Sequence, residues 1–173
     1  MLFQLGITLR RVANHGSTNA KEKDEKIGES IEKLKRATDL APNEASAHNN
    51  LGLSYFENEE FGLALESYTQ AIAKETTEVR ENQGSKENLS FYHKNRGLAY
   101  YHQGEMGEAK RDYDEAIKLN QHNADNYFNR GNVFLNQSMF EEAHDDFDRA
   151  IDLENTNAKF YHAKGLAFQA QAE

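Results

Sequence analysis

Between residues 124 and 153 the apolar positions fall on two stripes divided by a short polar link. Tyr127, Gly131 and Phe134 stand at i, i+4 and i+7. Phe140, Ala143, Phe147, Ala150 and Ile151 form a second stripe of the same period. Spacings near 3.6 residues predict two amphipathic helices, and the Gln137-Ser138-Met139 link between them suits a tight antiparallel pair. Gly131 and Ala143 are small where the two backbones must approach. Asn123 and Asn155 or Asn157 stand where helix N-caps belong.

The pattern recurs at a fixed interval. Gly97, Gly131 and Gly165 are spaced by 34 residues, as are Ala109 and Ala143, Tyr113 and Phe147, Ala116 and Ala150, and Ile117 and Ile151. An earlier unit shows Gly52, Tyr55, Phe61, Ala64, Tyr68, Ala71 and Ile72, but Gly52 and Gly97 are 45 residues apart. The extra residues fall around TTEVRENQGSKENLS. A period of this length is the mark of stacked helical units. The predicted organisation is a divergent first unit with an insert over 1–44, a unit with an extended linker over 45–89, and units over 90–123 and 124–157. A partial unit or capping helix follows over 158–173. The inserts near 14–26 and 76–89 are polar, and either stay flexible or lengthen the flanking helices.

These residues resemble a tetratricopeptide repeat (TPR) protein. Leu51, Gly52, Tyr55, Ala64, Tyr68 and Ala71 match the family pattern in one unit, and Gly97, Tyr100, Ala109, Tyr113 and Ala116 match in the next. Tyr127, Gly131, Phe134, Ala143, Phe147 and Ala150 match in the third, and Pro42 fits the closing proline of an earlier one. Departures are Thr76, Gln121 and Asn155 at the closing proline, and Arg96, Arg130 and Lys164 at the leucine before the glycine. The resemblance implies an all-α, right-handed superhelical solenoid of antiparallel helix pairs whose first helices line a concave groove. It implies a non-catalytic scaffold that binds an extended peptide or protein segment there.

Asp125, Asn129, Asn132 and Asn136 follow one another at i, i+4, i+7 and i+11, on the helix face opposite the apolar stripe. Asn50, Asn95 and Asn129 each stand two residues before a repeat glycine. A primary amide offers a donor and an acceptor together, so a row of them can hold a peptide backbone. The bland alternative, a polar filling of a solvated face, stays open, and Ala163 breaks the row. Lys94 is expected to meet an acidic side chain or terminus, with Asn132, Asn136, His102 and Lys159 completing the candidate site. The family's carboxylate clamp is matched by Lys94, Asn129 and Lys159 but not by Leu98 and Ala163. Arg96, Arg130 and Lys164 are expected to pack their stems along the neighbouring unit. Glu141, Glu142, Asp145, Asp146 and Asp148 are expected outward on a solvated convex face.

Charge narrows the partners. A net charge of −9 and a pI near 5.3 disfavour nucleic acid and anionic membranes. The absence of cysteine removes disulfides and thiolate metal sites. The stretch MLFQLGITLRRV is too short and interrupted for a membrane span and lacks the features of a signal peptide. An intracellular, cytoplasmic protein without membrane insertion is expected. No His-Glu-x-x-His motif, glycine-rich phosphate loop or Gly-x-Ser-x-Gly elbow occurs, so neither an enzyme nor a cofactor is expected.

The last stripe, Tyr161, Gly165 and Phe168, has no second helix after it. Either the chain is a piece of a longer array, or this helix caps the array or packs against another molecule, including a second copy. A structural part of a larger assembly, in contact through convex face, inserts or ends, is the alternative function.

Overall fold

The computed structural model describes residues 1–16 and 19–172, and among them nine α-helices and no strand. Two compact units divide the chain, Met1–Ser85 and Lys86–Glu173. The first holds α1 (Leu2–Gly16), α2 (Ala20–Leu40), α3 (Ala45–Glu57) and α4 (Phe61–Arg80). The second holds α5 (Lys86–His102), α6 (Met106–Leu119), α7 (Ala124–Asn136), α8 (Phe140–Leu153) and α9 (Ala158–Gln171). Pairing follows chain order within each: α1 with α2, α3 with α4, α5 with α6, and α7 with α8. First helices also touch each other, α1 with α3, α5 with α7, and α7 with α9.

The pairs α3–α4, α5–α6 and α7–α8 close through one turn geometry. Glu60, Glu105 and Met139 donate backbone N–H to Tyr55, Tyr100 and Phe134, each at 2.9 Å, five residues back. This closure needs a left-handed residue just before the donor, and Glu59, Gly104 and Ser138 supply it at φ 60, 81 and 59. The pairs then lock where a ring meets a glycine. A Cβ built on Gly52, Gly97 or Gly131 would lie 2.7, 3.0 or 2.7 Å from the ring of Tyr68, Tyr113 or Phe147. Those three rings are among the largest fully buried side chains.

Much of the extra length between Gly52 and Gly97 becomes helix. The helix α4 runs on to Arg80 and α5 starts at Lys86, with Asn82 at φ 58 in the turn between. The Ser85 N–H donates to Oε1 of the buried Glu75 at 2.6 Å, pinning that turn back onto α4. In the earlier insert α1 extends to Gly16 and α2 begins at Ala20, capped by the Asn19 side chain, which accepts from the Glu22 N–H at 2.9 Å. Ser17 and Thr18 of that insert lie outside the described residues.

Candidate functional site

In the second unit α5, α7 and α9 lie side by side and present a common face. Asn129 and Asn132 sit on it half-buried, one helical turn apart on α7. Neither amide has a hydrogen-bond partner among the described residues. Between α7 and α9 a shallow depression is lined by Leu135, Leu166, Gln169 and Ala170. Lys159 is exposed at the start of α9, where its N–H donates to the Asn157 cap at 3.2 Å. His102 is exposed beside the Tyr101 ring, centroids 6.1 Å apart. Asn136 is exposed and donates to the Tyr101 hydroxyl at 2.7 Å. Lys94 does not stand free: its Nζ lies 3.8 Å from Asp125 and 4.7 Å from the Phe91 ring centroid.

Behind this face runs a ladder of charges. Arg96 grips Asp112 through Nε and Nη2, both at 2.8 Å, and His93 Nδ1 lies 2.8 Å from the same carboxylate. One repeat later Arg130 grips Asp146 at 2.8 and 2.7 Å and reaches Asp114 of the preceding helix pair at 2.7 Å. Lys164 pairs backwards with Asp148 in the same way. Asp146, expected outward, is therefore buried: it faces the first helix of its own pair, where Arg130 compensates its charge. Arg96 and Arg130 thus spend their guanidinium groups on buried aspartates within the fold.

The two buried aspartates titrate in opposite senses. Burial alone would raise Asp112, yet hydrogen bonds from Arg96 and His93 outweigh it and hold the carboxyl below its ordinary value. For Asp146 burial wins over Arg130, helped by the nearby Asp114 and Asp145, and the carboxyl is pushed up. A depressed folded value contributes stability above the unfolded carboxylate pKa, near 4, that is lost as pH falls through the folded value. A raised value has the reverse sign: it favours the folded state toward acid, and that contribution is lost as pH rises through the folded value. In thermal melts between pH 7 and 3, Asp112→Asn is therefore expected to flatten the acid loss of stability, and Asp146→Asn to steepen it. Parallel shifts in both variants would contradict this assignment.

Family models match two stretches and then a third. The TPR repeat model covers residues 23–59 and 97–138, and the tetratricopeptide repeat model covers 124–157. The chain belongs to the tetratricopeptide repeat family. Among solved structures, MamA superposes with a TM-score of 0.73 at 21% identity, covering 90% of this chain and 86% of that one. The first TPR of Spaghetti (RPAP3), solved with the HSP90 peptide SRMEEVD, gives 0.64 at 24% identity, covering 75% and 94%. The Cut9–Hcn1 assembly gives 0.80 at 16% identity, covering 96% of this chain and 29% of that one. These likenesses show the fold, an all-α, TPR-like superhelical array. No curated protein matches the sequence.

Within the TPR frame the asparagine row needs correcting. Asn95 is 6% exposed and engaged inside the chain, so its amide does not face a ligand. Asn50, in the first unit, donates to the Ser46 carbonyl at 2.8 Å and accepts from Arg10 Nη2 at 3.3 Å. Ala163 is buried too. The reason is that a TPR first helix has more than two sides: α7 touches α5, α6, α8 and α9. Only a narrow strip remains open, and the place two before the glycine lies at its rim. Of the three equivalent asparagines, Asn129 alone keeps an unengaged amide. Asn126, three residues before Asn129, is wholly buried and donates to Ser90 Oγ at 3.2 Å. In register, Leu166 and Ala170 follow Lys159 and Ala163 at i, i+4, i+7 and i+11 on the helix face opposite the apolar stripe, so the sequence places these two at the depression, whereas nothing in it singles out Leu135 or Gln169.

Proposed function

We propose that this TPR chain is a non-catalytic interaction scaffold that takes an extended peptide or protein segment along the face shared by α5, α7 and α9. Asn129 and Asn132 pair with peptide N–H and C=O groups, the Leu135–Leu166–Ala170 depression seats an apolar side chain, and Lys159 meets an acidic one. Lys94 and Asn136 are already committed to Asp125 and Tyr101, so they shape the strip. The observation that carries the reading is the pair of unengaged amides one turn apart on α7. The peptide-bound TPR of RPAP3 supports it as a precedent on the same fold.

The test begins with a displayed library of linear peptides, selected on the wild-type protein. Each side-chain-to-backbone hydrogen bond contributes about 1 kcal/mol net, so Asn129→Ala with Asn132→Ala should weaken a selected peptide roughly 30-fold. The melting temperature should barely change, because neither amide holds the fold. Lys159→Glu should lower affinity for peptides with an acid at one place and leave others alone. If the selected peptides bind the double variant as well as wild type, capture on this face is wrong.

A further inference from the structure

Where the turn that opens a helix pair meets the end of the pair's second helix, the fold leaves a notch. In the second unit it holds about 360 Å³, between His122 and Asp125 on one side and Leu153 and Glu154 on the other. In the first unit it grows to about 500 Å³, within the range of small-ligand pockets. Asn43 and Lys74 hold there the register of His122 and Leu153, counted from Gly52 and Gly131. The difference lies in α4. Where α8 stops at Leu153, α4 runs on to Arg80, and the chain then folds back along it. The Glu78 carbonyl accepts from the Gln83 and Gly84 N–H groups at 2.9 and 3.0 Å. A Cβ on Gly84 would lie 2.7 Å from the Val79 nitrogen, so only a glycine lets the returning backbone come this close. This return walls the notch with Glu81 and Gln83.

The polar side chains of the larger notch are left unengaged. Asn43, Lys74, Glu78, Glu81 and Gln83 line it, and none of these five side chains has a hydrogen bond or an ion pair among the described residues. Thr77 alone is engaged, donating to the Ala73 carbonyl at 3.1 Å. Lys110 and Asp114 stand at the same spacing as Lys74 and Glu78 and pair at 2.8 Å, yet Lys74 and Glu78 do not pair. Burial, with Glu75, Glu44 and Glu81 nearby, pushes the Glu78 carboxyl above its ordinary value, and a cation beside it relieves that repulsion. Along α4 the order is ammonium, carboxylate, carboxylate, spread over about 10 Å at the helical rise. We propose that this notch binds a molecule with a carboxylate at one end and a guanidinium or ammonium group at the other, the chemistry of a basic amino acid. Lys74 takes the carboxylate, Glu78 and Glu81 take the side-chain cation, and the amide oxygens of Asn43 and Gln83 accept from the α-ammonium.

The probe is L-arginine, titrated into the whole protein while the amide resonances of Lys74, Glu78 and Gln83 are followed. They should shift together and saturate. Citrulline lacks the cation and agmatine lacks the carboxylate, so each should bind roughly tenfold more weakly or worse. Glu78→Gln and Lys74→Gln should each weaken arginine to a similar degree with an unchanged melting temperature, because neither side chain has a partner in the fold. Asn129→Ala with Asn132→Ala should leave arginine binding intact, which separates this site from peptide capture. A peptide ending in arginine distinguishes the source: affinity equal to that of free arginine assigns the notch to a chain end, and rejection assigns it to the free molecule. No shift up to the solubility limit of arginine, equal binding of citrulline or agmatine, or unchanged binding in either single variant overturns the proposal.

Discussion

Phe147→Ala is expected to destabilise the second unit by about 3–5 kcal/mol, the range for deleting a buried aromatic. The ring is 0% exposed and rests in one cluster with Phe134, Ala143, Ala163 and Ala167, its centroid 6.0 Å from that of Phe128. It thus ties α7, α8 and α9 together, and small alanines around it cannot collapse far into the space it leaves. The glycine beneath it gives the sharper test. A methyl added at Gly131 would sit 2.7 Å from Phe147 Cε1 in the intact protein, so Gly131→Ala alone overpacks and should cost about 1–3 kcal/mol. In the Phe147→Ala background the same methyl enters the vacated volume, and its cost should vanish or change sign. Urea unfolding of the four proteins in this cycle measures the coupling. Simple additivity would mean that the ring and the glycine do not lock the pair.

That lock is also why the architecture could be read from the sequence. A ring, a glycine and two alanines recurring every 34 residues fix a close helix crossing, whatever surrounds them. The open face is another matter, because it depends on helices that are remote in sequence. Asn95 and Asn129 share one register, yet one is engaged in the interior and the other is not. Asn126 and Asn129 stand three residues apart with the same side chain, one wholly buried and one at the rim. Nothing in composition separates Asp145, Asp146 and Asp148 either. A signal was present, though: Arg96 with Asp112 and Arg130 with Asp146 are each offset by 16 residues, and the offset repeats with the unit. Reading pairs across the two helices of a unit, instead of stripes along each one, would have put Asp146 inside.

Removing the guanidinium of Arg130 should be as damaging as removing the ring. Its side chain is 22% exposed and that of Asp146 is 7%, so Arg130→Leu strands a carboxylate in a largely dry place. Breaking such a pair on one side typically costs about 3–5 kcal/mol, most of it from the charge left behind. Asp114 adds to the expected loss, although at 37% exposure water can serve it. The first unit already holds the remedy, since Leu51 and Ser67 occupy the same two places without charge. Transplanting both, as Arg130→Leu with Asp146→Ser, removes the stranded carboxylate together with its partner. The double variant should therefore recover most of the loss, because an apolar or neutral replacement of a whole buried pair is often nearly neutral. Denaturant midpoints for the two single variants and the double one decide the matter. A nearly neutral Arg130→Leu would mean that Asp146 reaches water, and a double variant as unstable as Arg130→Leu would mean that the pair itself, not relief of a buried charge, holds α7 to α8.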